Sequence, residues 1–243
     1  MTAWMWALVA GVVLVAAFLQ TSTGFGFSQV SVPFLITLFA PRDAVQMTLI
    51  LSLVISLVML RSTNAEVDWT LLKRWVWSAL VGLPVGILLF HFLPVLWIKL
   101  ALAASLGVAM IFLSFRLRLR RTARGDMLSG FLSGALTSSV GLPGPPLLVY
   151  TSGANMHKSV IRSTTLTFHT MVYGFGVLAQ VVTQGVSVSV LITTAVLVAP
   201  LLLGIGAGHA IFPLISQRVF KLLLYAILLT AELYLLASLR GAL

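Results

Sequence analysis

Long apolar runs dominate the chain, and the polar tracts between them fall at membrane-helix intervals. Runs of about 20 residues predict full spans near 43–61, 70–91, 95–115, 158–183, 187–209 and 218–239. The stretches 4–40 and 126–155 differ. Each is cut near its middle by a glycine-containing polar tract, Thr21-Ser22-Thr23-Gly24-Phe25-Gly26 in the first and Thr137-Ser138-Ser139-Val140-Gly141-Leu142-Pro143-Gly144 in the second. The arms that remain hold about 12 to 17 residues, or about 18 to 25 Å of helix, which reaches the midplane of a ~30 Å hydrocarbon core more readily than it crosses. Lipid satisfies no backbone N–H or C=O, so irregular backbone at that depth is expected to line a cavity or bind something. Both stretches are therefore predicted to be re-entrant hairpins with their tips at the polar tracts.

The same order of segments occurs twice. A hairpin (about 4–40) and three spans make one membrane repeat over 1–115, a basic linker occupies 116–125, and a hairpin (about 126–155) and three spans make a second repeat over 126–243. An offset of about 117 residues aligns Gly24 with Gly141, and small gaps then align Gly86 with Gly204, His91 with His209, Pro94 with Pro213 and Lys99 with Lys221. Identity between the halves is low, so the order of segment types carries the repeat.

Composition agrees: 60% of residues are hydrophobic, 8% are charged, and the mean hydropathy is +1.11, which places the chain among integral membrane proteins. The N-terminus lacks a basic region, so its first apolar segment is expected to be retained rather than cleaved. The net charge of +10 would point to nucleic acid in a soluble protein, but the basic residues sit at the ends of apolar runs, where topology explains them. If each hairpin returns to its own side, each half crosses three times and the halves are inverted. A cytoplasmic linker then puts twelve of the 15 Lys and Arg inside; letting the broken elements cross leaves only nine there. The positive-inside rule favours inverted repeats. The expected fold is thus an all-α integral membrane protein of two inverted repeats, each a broken re-entrant helical hairpin plus three transmembrane helices.

In a re-entrant hairpin the second arm starts at the tip, so its unpaired N–H groups and partial positive charge face the membrane centre. Two such ends attract an anion. Thr21, Ser22, Thr23, Ser28, Thr137, Ser138 and Ser139 add hydroxyls, while Gly24, Gly26, Gly141 and Gly144 let backbone approach a ligand. Small residues also serve plain helix packing, but two such tracts at matching positions favour binding. Gln29 has an amide to offer either a ligand or a neighbouring helix. Arg162 is placed to pair with an oxyanion or to snorkel to headgroups. His169, deep in its span, can bond the substrate, titrate as a proton-coupling group, or bond a neighbouring helix in neutral form. Glu232 is the second proton-coupling candidate, with an interfacial position as its alternative. Asp43, Glu66, Asp68 and Asp126 fall at segment ends, so a cation would lack counter-charge. Cysteine is absent and no metal-ligand spacing occurs, leaving neither metal nor cofactor indicated.

The broken halves, with Ser22-Thr23-Gly24-Phe25-Gly26 in one and Ser139-Val140-Gly141-Leu142-Pro143-Gly144 followed by proline in the other, resemble the TauE/SafE sulfite exporters over nearly the whole chain. The resemblance implies a multi-pass permease of the bacterial inner membrane that moves sulfite or small organosulfonates such as sulfoacetate, usually outward. The expected partners are that small anion, the lipid bilayer and protons as a coupling ion, with a homodimer left open and no nucleic acid. Three rivals stand beside export: an uptake permease or channel for another organic anion, a non-transporting assembly subunit, and a membrane-embedded enzyme using Ser139 and His169. The last lacks an acidic orienter or a nucleophile elbow.

Overall fold

A computed structural model describes residues 2–60, 66–92, 120–153 and 158–211, residue 156, and isolated positions between 94 and 111 and at 229 and 233. The expected span 218–239 with Glu232, most of 95–115, linker residues 116–119 and the Thr23 side chain lie outside the described residues. Among the described residues the elements are helices: α1 (Ala3–Thr23), α2 (Phe27–Leu38), α3 (Pro41–Leu60), α4 (Trp69–Phe92), α5 (Ala123–Val140), α6 (Gly144–Gly153), α7 (Lys158–Gln184) and α8 (Val188–Ile211). Five of them, α1, α3, α4, α7 and α8, are long and apolar enough to cross a membrane. The protein is a multi-pass membrane protein.

The helix breaks are narrower than the polar tracts. Helix α1 has 21 residues and continues through Thr21-Ser22-Thr23, and α5 continues through Thr137-Ser138-Ser139-Val140, so the first arm of each pair exceeds the expected length. Hydroxyls that bond their own helix explain this. Ser22 Oγ donates to Phe18 O (2.8 Å), Thr137 Oγ1 to Ser133 O (2.6 Å) and Ser139 Oγ to Ala135 O (2.7 Å), so the side chains join the helix rather than compete with it. Glycines end both arms. Gly24 (φ 82°) and Gly141 (φ 73°) adopt the left-handed conformation that costs a Cβ-bearing residue about 1–2 kcal/mol. The second arms, α2 with 12 residues and α6 with 10, are short.

Close helix pairs are built from small residues. A Cβ on Gly82 or Gly86 of α4 would overlap Phe131 O or Ala135 O of α5, and one on Gly134 would overlap Ala79 O. Likewise, a Cβ on Gly204 of α8 would overlap Leu14 O of α1, and one on Gly208 would lie 3.0 Å from Phe18 O. In both pairs the contacts advance together along the two chains, so α4 lies parallel to α5 and α8 parallel to α1. The two sets also correspond at the offset of about 117 residues, since Leu14 and Phe18 match Phe131 and Ala135. Packing therefore pairs Gly82 with Gly204 and Gly86 with Gly208, which moves the expected Gly86–Gly204 match by one helical turn and removes the His91–His209 match. Exchange of the halves reproduces most of the other contacts: α4 with α7 answers α3 with α8, α1 with α2 answers α5 with α6, and α3 with α7 and α2 with α6 answer themselves, whereas the packing of α2 on α3 has no comparable counterpart between α6 and α7 among the described residues.

Candidate functional site

At the first tip α1 ends on Gly24, whose N–H bonds Gln20 O (2.8 Å), and α2 begins at Phe27, directly after Gly26 at φ 121°. Gln20 also reaches forward, its Oε1 accepting from Phe27 N–H (3.1 Å). A helix start leaves its first N–H groups without helical partners, and here Ser28 and Gln29 follow Phe27 into that first turn. At the second tip Gly141 N–H bonds Thr137 O (2.9 Å) and Leu142 N–H bonds Leu136 O (3.1 Å), so two successive N–H groups close the end of α5 on its last carbonyls. Ser133 Oγ then holds Pro143 O (2.7 Å). Helix α6 opens with Gly144, Pro145 and Pro146, and the prolines bring no N–H.

The two tips touch. A Cβ on Gly144 would lie 2.6 Å from Gln29 Nε2 and 3.7 Å from Phe25 Cδ1, so glycine is what lets the first tip seat its amide and ring against the second. Helix α7 spans both. Arg162 donates to Thr21 O (3.1 Å) and lies along Gly24, while Gln180 Nε2 donates to Ser138 O (3.1 Å). Thr21 and Ser138 are equivalent positions of the two halves, so one helix fastens the matching carbonyl of each tip. Arg162 therefore faces the tip, and the snorkelling alternative does not describe it. Its packing counterpart is Val45, which lies against Gly141, rather than the neighbouring Gln46.

Polar groups that make no hydrogen bond within the protein gather around these tips. They include Thr21 Oγ1, both ends of the Gln29 amide, Thr48 Oγ1, Thr165 Oγ1 and Gln180 Oε1. An unpartnered buried group costs about 1–3 kcal/mol, and their concentration in one place makes this the candidate site for a polar ligand. His169 is buried, edge-on to Phe25 with ring centroids 5.7 Å apart and tilted against Tyr173 at 5.3 Å. Tyr173 in turn shares a hydrogen bond with Ser28 Oγ (3.2 Å).

The structure thus brings together Thr21, Gly24, Gly26, Ser28, Gln29, Arg162 and His169 from one tip and its surroundings, and Thr137, Ser138, Gly141 and Gly144 from the other. Four expected hydroxyl donors turn elsewhere: Ser22, Thr137 and Ser139 to their own helices, and Ser138 to Leu83 O of α4 (2.7 Å). Thr48, Ser52, Thr165, Tyr173 and Gln180 join the candidate site although neither polar tract contains them. Their signal was available as a polar pair one turn apart, Thr48 and Ser52 in α3, repeated at equivalent positions by Thr165 and His169 in α7.

Acidic side chains lie away from the tips, with Asp43 beside Arg42 and Gly185 at one end and Asp68 and Asp126 at the linker end. Buried Asp126 takes Arg74 on Oδ2 (2.7 Å) and the Tyr150 hydroxyl on Oδ1 (2.6 Å), and Arg121 joins Asp68 (2.7 Å). Among the described residues no group of three His, Cys, Asp or Glu side chains could hold a metal ion.

No curated protein and no solved structure matches the chain. The family model described as sulfite exporter TauE/SafE matches residues 9–235, from the middle of α1 to near the end of the sequence, and includes both broken helices. With two glycine-broken helices meeting over a polar cluster free of carboxylates in a multi-pass membrane protein, and a family match that covers nearly its whole length, the chain belongs to the TauE/SafE family of membrane sulfite exporters.

Proposed function

We propose that the protein is a secondary transporter of the bacterial inner membrane that exports a small sulfur oxyanion or organosulfonate, such as sulfite or sulfoacetate, with the anion held between the two hairpin tips. The observation that carries this reading is the meeting of the tips amid buried donors that find no partner in the protein. Sulfite and sulfonate oxygens accept hydrogen bonds, so the Gln29 amide, the hydroxyls of Thr21, Thr48 and Thr165, the first N–H groups of α2 and the Arg162 guanidinium can replace their hydration. No carboxylate stands among them to repel an anion.

The two halves act as inverted repeats, and the site changes access as one hairpin bundle moves against the other. Reciprocal packing supports the repeat. The grouping of charges supports the inversion, because Arg74 and Arg121 lie together at the end where α7 begins, whereas Arg42 bonds Gly185 O (3.3 Å) at the end where it stops. His169 serves as the proton-coupling group, placed on α7 between the two anchored carbonyls.

Reconstituted protein is expected to give saturable sulfite or sulfonate flux that responds to an imposed proton gradient. Flux without saturation would point to a channel, and a flux indifferent to both the gradient and His169→Gln would remove the coupling role.

A further inference from the structure

A cavity of about 600 Å³ lies away from the tips, between the segment carrying Ala104 and Val108 and the outer sides of α5 and α6. Its walls are apolar, formed by residues such as Val108, Leu128, Leu132, Leu136 and Pro146. Its outer edge is open, since Val108 is 47% exposed, Leu128 60% and Leu132 42%. In a multi-pass membrane protein that edge faces acyl chains. One end is polar and cationic, with Arg120, Thr122 and Tyr150. The arginines there differ: Arg121 is committed to Asp68, whereas Arg120 is exposed and makes no ion pair among the described residues. An elongated apolar slot with an uncommitted guanidinium at its mouth is complementary to an amphiphile with an anionic head.

We infer that this cavity is a binding site for an anionic phospholipid, which lays one acyl chain along α5 and α6 and sets its phosphate on Arg120. Charge selects the lipid and the slot retains it, because an exposed basic residue alone attracts anionic headgroups only by about 1 kcal/mol. The seat has consequences for the hairpin. The Tyr150 ring forms part of the wall while its hydroxyl holds Asp126 and the Thr122 backbone, and Pro145 and Pro146 at the start of α6 form another part. A chain in the slot therefore braces the second hairpin from behind, on the side opposite the first tip. This inference stands apart from the identity of the transported anion.

Full-length protein in phosphatidylcholine nanodiscs, titrated with phosphatidylglycerol and read by native mass spectrometry and thermal unfolding, tests it. Preferential retention of phosphatidylglycerol over phosphatidylcholine is expected, with Arg120→Gln reducing that preference about fivefold and Leu132→Trp reducing retention of both lipids by occupying the slot. Arg120 is exposed, so its variant keeps the test informative if Leu132→Trp does not fold. Equal retention of the two lipids, or an unchanged preference in Arg120→Gln, would overturn the site. Glycerol phosphate, which has the head without the chains, should leave the unfolding temperature unchanged; stabilisation by it would assign the site to a soluble phosphate instead. Loss of a dimer rather than of lipid in Leu132→Trp would assign the face to a second copy of the chain, and would equally overturn the proposal.

Discussion

The two tips share a backbone plan and differ in chemistry. Each ends a helix on a left-handed glycine and offers its Thr21 or Ser138 carbonyl to α7. The first tip follows with Ser28 and Gln29, which keep their N–H groups, and is anchored by a cation. The second follows with Pro145 and Pro146, which have none, and is anchored by a neutral amide. Its turn is also closed twice, and Ser133 holds it from below. A symmetric scaffold thus presents one face that donates and one that is stiff and donor-poor. On the proposed reading, the anion binding expected of two facing helix starts would fall mainly on α2 and Arg162.

The strongest way to break that contrast is to remove the anchors one at a time. Arg162→Leu should lower transport of a sulfonate about ten- to a hundredfold, the span expected for a hydrogen bond to a charged group. Gln180→Leu, which costs a neutral bond at the equivalent carbonyl, should lower it less than tenfold. Concentration-dependent flux in liposomes gives both values, and Arg162→Lys, which keeps the charge but loses the fork, should fall between them. Equal effects of the two replacements would mean that the tips share the load.

An exchange of helix starts sharpens the comparison. Giving the first tip the second's residues, Ser28→Pro with Gln29→Pro, removes two N–H groups and the amide while proline remains tolerated in a first helical turn. Affinity for the anion should fall about tenfold or more. The reverse exchange, Pro145→Ser with Pro146→Gln, restores donors to the second tip and should leave affinity unchanged or raise it. Binding measured by the anion's protection against thermal unfolding distinguishes the two.

Much of this arrangement was legible in the chain because interruptions of apolar runs are conspicuous. The four full spans α3, α4, α7 and α8, both breaks and the offset of about 117 residues follow from hydropathy and glycine placement. The length of α1 was not legible. A Thr-Ser-Thr tract reads as a break until its hydroxyls are seen to donate to their own helix, as Ser22 does. The register of Gly82 and Gly86 was hidden for a similar reason, since a repeat of small residues every four positions matches itself one turn out of step and only packing against Phe131 and Ala135 selects the match. Thr48, Ser52 and Thr165 were passed over because single hydroxyls in a membrane helix commonly bond the preceding turn.

The closing glycines provide a smaller contrast. Gly24→Ala and Gly141→Ala each place a Cβ at a left-handed φ and should destabilise by about 1–2 kcal/mol, seen as similar losses in unfolding temperature. Their effects on transport should diverge. The new methyl at position 24 meets Arg162 Cγ at 3.4 Å, whereas that at position 141 meets Val32 and Val45 at 3.6 and 3.7 Å. Flux should therefore fall further in Gly24→Ala than its stability loss explains, and proportional losses in the two variants would detach Arg162 from the transported anion.

The least effect is expected from acid, and it separates the tips from the linker end. The tips carry no carboxylate, while Asp68 bonds Leu71 N–H (2.9 Å) and Arg121 (2.7 Å). Partial burial pushes the Asp68 carboxyl up, but the Leu71 N–H and Arg121 outweigh it and hold the carboxyl below its ordinary value of 3.8. A carboxyl with a depressed native pKa favours folding above its unfolded pKa, and that contribution is lost as pH falls through the native value. The loss thus lies below pH 3.8, and it is small because Arg121 is 37% exposed and the pair is screened by water. Unfolding temperature measured downward from pH 5 should drop less steeply below pH 4 in Asp68→Asn than in the parent. Affinity for a sulfonate, which stays ionised in this range, should follow the parent's in the variant. A change in affinity would mean that the linker end and the tips move as one body, with the Asp126–Tyr150 bond at the second hairpin as the physical connection between them.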